Sequence, residues 1–102
     1  MSTRPEEALA ALQELRAAIE GLDRELVALV ARRVSLAREV GRLKRIAGVP
    51  TLDPAREAAV VRRSAALARE VGLEEEDVRE IFWHLVGLSR RVQMLDALDS
   101  PG

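Results

Sequence analysis

Apolar side chains recur along the first half of the chain in steps of three and four: Leu12, Leu15, Ile19, Leu22, Leu26, Leu29, then Leu36, Val40 and Leu43. That alternation is the period with which a helix lays a stripe against another helix. It predicts a first helix over about residues 5–47, opening at Pro5 and ending at the break Gly48-Val49-Pro50. A second helix is expected over about 53–71. It begins at Asp53-Pro54, a capping side chain followed by proline at the first helical position, and stops at Gly72. A third, over about 74–98, starts in Glu74-Glu75-Glu76-Asp77, where acids suit the positive end of the helix dipole. Its stripe reads Val78, Ile81, Leu85, Leu88, Val92 and Leu95, and Ser100-Pro101-Gly102 closes the chain. The expected fold class is all-α: three helices, the first very long, in one domain spanning residues 1–102.

The length of the first helix changes the picture. Roughly 43 helical residues at ~1.5 Å each extend ~65 Å. A globule of this size should have a radius of gyration near ~13 Å. The two remaining helices cannot cover such a stripe along its whole length, so a second chain is expected to do so, giving an intertwined helical homodimer. Gly21 and Gly41 weaken the helix by at most ~1 kcal/mol each relative to alanine.

Composition narrows the chemistry. Aromatic residues are 2% of the chain against 48% hydrophobic, so the core is built from Leu, Val, Ile and Ala, and the abundance of Ala, Leu, Arg and Glu favours helices. Sixteen basic residues face 17 acidic ones, a balance that gives no global attraction to nucleic acid or to an acidic membrane. Without cysteine there is neither a disulfide framework nor thiolate chemistry, and a single histidine, His84, argues against a zinc or iron centre. His84 is read as a surface or boundary residue with no chemistry. The N-terminus lacks the apolar stretch of a signal peptide and no run nears the ~18 apolar residues that span a bilayer. A cytoplasmic protein with no cofactor is expected.

Several polar residues interrupt the apolar pattern. Arg33 occupies the slot between Leu29 and Leu36 where the alternation calls for an apolar side chain. Buried, it must meet an acid or an anionic ligand; otherwise it snorkels to water. Lys44, eleven residues on, returns to within ~20° of the same face. Arg16 lies ~25 Å from Arg33 along the axis and ~100° around it. One straight helix cannot bring the two together, although a partner's Arg16 could reach Arg33 in an intertwined dimer. Asp53 reads as a helix cap, with Arg56 and Glu57 in the first turn after it, while Ser89 and Gln93, spaced i, i+4, flank the third stripe. The set is mostly cations and neutral donors, with no nucleophile, P-loop or dinucleotide fingerprint. It suits gripping a small dianion.

In this order and spacing the chain resembles the all-helical chorismate mutases from about Leu12 to Leu95. The signatures are Leu15-Arg16-x-x-Ile19-x-x-Leu22-Asp23, Leu29-Val30-Ala31-Arg32-Arg33, Glu39-Val40-Gly41-x-x-Lys44, Asp53-x-x-Arg56-Glu57, and Phe82 with Ser89-x-x-x-Gln93. Each is weak alone; together, without an apparent gap, they are strong. The resemblance implies an isomerase that rearranges chorismate to prephenate in phenylalanine and tyrosine biosynthesis, with no metal or cofactor. It implies that Arg33 and Arg16 of the other subunit bind the two carboxylates, and that Lys44 and Gln93 donate to the ether oxygen of the breaking bond. Glu57, with the backbone near Asp53, would hold the ring hydroxyl, and Arg56 and Ser89 would complete the polar wall. Every one of these positions carries the family's residue type.

Two other readings stay open. Isochorismate–pyruvate lyase uses a similar cationic pocket on the same fold, though Arg56-Glu57 looks more like the mutase. A non-enzymatic helical dimerisation module needs only the coiled-coil period, but leaves Arg33 and the spacing of Lys44, Glu57 and Gln93 unexplained. With no further domain in evidence the chain is expected to be monofunctional and without feedback control, and docking onto another aromatic-pathway enzyme remains open.

Overall fold

Helices form where the capping signals place them. The computed structural model describes residues 3–99 and contains α1 (Pro5–Ala47), α2 (Pro54–Glu70) and α3 (Glu75–Asp99). No strand occurs among the described residues, and no helix there is long and apolar enough to cross a membrane. Ser100-Pro101-Gly102, expected to close the chain, lies outside the described residues, as do the first two residues of the N-terminus.

Both breaks are glycine-terminated helix ends. At the end of α1, Gly48 takes φ 70°, and the Val49 and Gly48 amides donate back to Lys44 O and Arg45 O at 3.0 and 3.3 Å. After α2, Gly72 takes φ 73°, with Leu73 N donating to Ala68 O at 3.0 Å and Gly72 N to Arg69 O at 3.4 Å. A left-handed residue is needed to aim these amides at the last carbonyls, and a side chain there would be strained. The start of α2 follows its signal: Asp53 Oδ1 accepts from Arg56 N at 3.0 Å, with Pro54 opening the helix.

The chain divides into two units, Met1–Arg32 and Arg33–Gly102. In the first, Leu12, Leu15, Ile19, Leu22, Leu26 and Leu29 are each 40–63% exposed. The coiled-coil stripe expected there is present and has no cover within its own unit.

In the second unit, α2 packs on α3. Val61, Ser64, Ala65 and Ala68 of α2 are buried, as are Val78, Val86, Val92 and Gln93 of α3 and Ala37 and Gly41 of α1. Small residues at 64, 65 and 68 let side chains of the facing helix approach closely. Ser64 is fully buried and satisfies its hydroxyl on Val61 O at 2.6 Å. The α3 stripe divides between two environments. Val78 and Val92 are buried, but Ile81 and Leu95 are 56% and 59% exposed. The inward face includes Val86 and Gln93, and Ser89 sits ~100° round the helix from its neighbour Leu88. Thus α3 has two adjacent faces, one turned into its own chain and one apolar and open.

Candidate active site

A pocket of about 270 Å³ opens within residues 33–102, lined by all three helices and the α1–α2 link. From α1 come Arg33, Leu36, Ala37, Val40 and Lys44, which at i, i+3, i+4, i+7 and i+11 share one face. The link supplies Thr51 and Asp53, and α2 adds Arg56, Glu57, Val60 and Arg63. From α3 come Val86, Ser89, Arg90 and Gln93, again at i, i+3, i+4 and i+7.

Seven of the eight residues singled out from the sequence therefore line one cavity: Arg33, Lys44, Asp53, Arg56, Glu57, Ser89 and Gln93. Arg16 belongs to the Met1–Arg32 unit, is exposed, and is not among the lining residues. His84 is exposed and lies elsewhere, beside Trp83 and the acids of the first turns of α3.

Arg33 is half-buried, and its Nη1 donates to Ser89 Oγ at 2.6 Å and to Leu85 O at 3.3 Å. Ser89 in turn donates to Leu85 O at 3.1 Å. Both partners of Arg33 are neutral, so its charge is oriented but not cancelled. Burial, and then repulsion from the Arg63 guanidinium, hold the Arg33 pKa below its ordinary value. An arginine remains protonated even so, and two cations drawn to one cavity favour an anion between them.

Gln93 is buried and donates Nε2 to Ala37 O at 2.9 Å. Lys44 Nζ donates to Thr51 O at 3.0 Å. These bonds fix both side chains without exhausting them: the amide keeps a second N–H, and the ammonium two more. Glu57 accepts from Arg90 Nε at 3.2 Å, a pair that ties α2 to α3 beside the cavity. Asp53 spends one carboxylate oxygen on its cap.

Arg63 and Arg90 were not singled out from the sequence. Each carries a faint signal. Arg56, Val60 and Arg63 run i, i+4, i+7 on α2, and Arg90 is three residues before Gln93 on α3. Surface arginines so often occupy such positions that spacing without the facing helices does not set them apart.

A profile of the family "Chorismate mutase type II" matches residues 15–94. The chain belongs to that family. Its relatives include the chorismate mutase of Methanocaldococcus jannaschii, 33% identical over 82 residues covering 80% of this chain and 83% of the relative. The 4-amino-4-deoxychorismate mutase of Streptomyces venezuelae is 34% identical over 84 residues, 82% of both chains. The T-protein of Haemophilus influenzae is 35% identical over 72 residues, 71% of this chain. This chorismate mutase family chain spans 19% of the length of that T-protein.

Proposed function

We propose that this protein is a chorismate mutase that converts chorismate to prephenate by a concerted shift of the enolpyruvyl side chain, without a covalent intermediate. The observation that carries the proposal is the convergence of Arg33, Lys44 and Gln93 on one cavity that also holds Glu57. Arg33 grips a substrate carboxylate through charge-assisted bonds. The grip holds the substrate folded, so that its two reacting carbons approach. As the C–O bond breaks ahead of C–C bond formation, negative charge gathers on the ether oxygen. The remaining N–H groups of Lys44 and Gln93 stabilise that charge more than they stabilise the ground state. Glu57 accepts from the ring hydroxyl, Asp53 borders that end through its backbone, and Arg56 and Ser89 complete the wall. The scheme asks for no metal or cofactor.

The same reading assigns the exposed stripe of residues 12–29 to a second copy of the chain, in an intertwined homodimer. The partner's Arg16 then supplies the second carboxylate contact. The period of the stripe supports a helix as its cover, and the substrate's two carboxylates ask for a second cation beside Arg33. A cytoplasmic location accords with this metabolism, and a pathway enzyme could dock on the assembled dimer.

The test is to incubate purified protein with chorismate and identify the product. Prephenate formation, lost in Arg33→Ala, is expected. Folded protein that forms none would overturn the proposal. Pyruvate release from isochorismate would then identify the lyase, and inertness toward both would leave the dimerisation module. The amino-substituted chorismate named for the Streptomyces relative belongs in the same assay as a competing substrate.

A further inference from the structure

The cavity's one carboxylate not engaged in a helix cap is Glu57, and the structure already gives it a cationic partner. Arg90 Nε reaches Glu57 Oε2 at 3.2 Å, with the glutamate side chain about one-fifth exposed and the arginine about two-fifths. Five cationic side chains (Arg33, Lys44, Arg56, Arg63 and Arg90) line the cavity against two carboxylates, Asp53 and Glu57. Ligands that differ in charge at the ring carbon facing Glu57 will feel that balance.

A ring hydroxyl is neutral and needs one acceptor. Glu57 can supply it through its second oxygen while Arg90 holds the first. A ring amine, protonated near neutral pH, needs a negative charge to offset its desolvation. The Glu57–Arg90 pair is neutral as a unit and presents a guanidinium beside the carboxylate, so it offers no net attraction. We propose that Arg90 is a positioning residue that sets the choice of ring substituent: by pairing with Glu57 it makes the cavity select a ring hydroxyl over a ring ammonium. The inference rests on the proposed function, which places the substrate's ring hydroxyl at Glu57.

The chemistry gives the variants opposite directions. In Arg90→Gln the Glu57 carboxylate loses its compensating charge and becomes a partner for an ammonium. Arg90→Lys restores a cation at the same place, although without the rigid fork of the guanidinium.

The experiment compares kcat/KM for chorismate and for 4-amino-4-deoxychorismate in the wild type, Arg90→Gln and Arg90→Lys. The wild type should favour chorismate. Arg90→Gln should move the ratio toward the amino substrate by at least about fivefold, a size suited to a partly exposed pair, and Arg90→Lys should return it most of the way. A merely structural loss would lower both rates together and leave the ratio in place, and that result overturns the inference. So does a wild type that prefers the amino substrate. If the wild type forms no prephenate, the proposed function fails. Calorimetric titration of the unreactive protein with both ligands then reads the same ratio, and an unchanged ratio in Arg90→Gln overturns the inference in its turn.

Discussion

The side-chain amide of Gln93 on α3 donates to the Ala37 carbonyl of α1 at 2.9 Å, and it can do so because Gly41 stands one turn along α1 from Ala37. A Cβ built on Gly41 would lie 3.0 Å from Gln93 Cγ and 3.4 Å from its Cβ. The glycine therefore sets how closely Gln93 approaches α1. Gly41→Ala should displace Gln93 by a few tenths of an ångström. We expect kcat to fall by about tenfold, in line with the sensitivity of preorganised donors to small displacements, with KM changed less. Alanine's better helix propensity, up to ~1 kcal/mol, offsets the crowding, so the melting temperature should move little. Steady-state kinetics alongside a thermal melt check both halves.

An amide at position 93 donates at every pH, whereas a carboxyl donates only when protonated. Gln93→Glu should therefore be active in acid and lose activity as the carboxyl ionises, while the wild type stays flat across the same range. Burial and the Ala37 carbonyl both disfavour the ionised glutamate, so the fall should come above the ordinary carboxylate range of ~4.3. Parallel pH–rate profiles decide it: a flat profile in the variant would remove Gln93 from the reacting oxygen.

Arg33 separates enzyme from scaffold. Its pKa is lowered by burial and by Arg63, so the folded state binds that proton less tightly than the unfolded chain does. The sign follows: at any pH below the folded-state pKa the charge works against folding, and the penalty disappears only as pH rises past the unfolded value. Arg33→Met should keep or raise the melting temperature while lowering kcat/KM by at least about a hundredfold. A variant that melts early and keeps its activity would show that the guanidinium serves the fold.

Asp53 is both cap and pocket wall. Asp53→Ala frees the Arg56 amide from its 3.0 Å partner and should cost about 1 kcal/mol, a drop of roughly 4–8 °C in a domain of this size. Because the assigned contact at this residue is through its backbone, turnover at 25 °C should fall far less than in Lys44→Ala. Loss of activity equal to that of Lys44→Ala would point to the carboxylate itself.

Much of this arrangement was legible in the sequence because it rests on local rules. Gly48 and Gly72 had to end helices, Asp53-Pro54 had to begin one, and the i, i+11 spacing of Arg33 and Lys44 put both on one face whatever packed against them. What could not be read is what tertiary context decides. On α3, Ile81 and Leu95 carry the periodic signal, yet Val86 and Gln93 are the buried ones, because periodicity reports an apolar face without saying which neighbour covers it. Arg63 and Arg90 look like ordinary helix-surface cations until the facing helices show what stands opposite. The role of Gly41 was equally hidden: a glycine in a helix reads as a small cost, and its use appears only once Gln93 lies against it.

Arg16 gives the dimer proposal its sharpest test. If each site takes Arg33 from one protomer and Arg16 from the other, Arg16→Ala and Arg33→Ala should each be nearly inactive alone. Co-expressed, the two variants form mixed dimers in which one site loses both arginines and the other keeps both. With random pairing half of the dimers are mixed and one of their two sites is intact, so about a quarter of wild-type activity should return. A site built within one chain would recover nothing on mixing. Leu22→Glu, placed in the exposed stripe, should in turn abolish association in sedimentation and activity together, since a monomer would have no second arginine to offer. A monomeric Leu22→Glu variant with undiminished turnover would remove Arg16 from the site and leave the carboxylates to cations of the same chain, among which Arg63 is already close enough to act on Arg33.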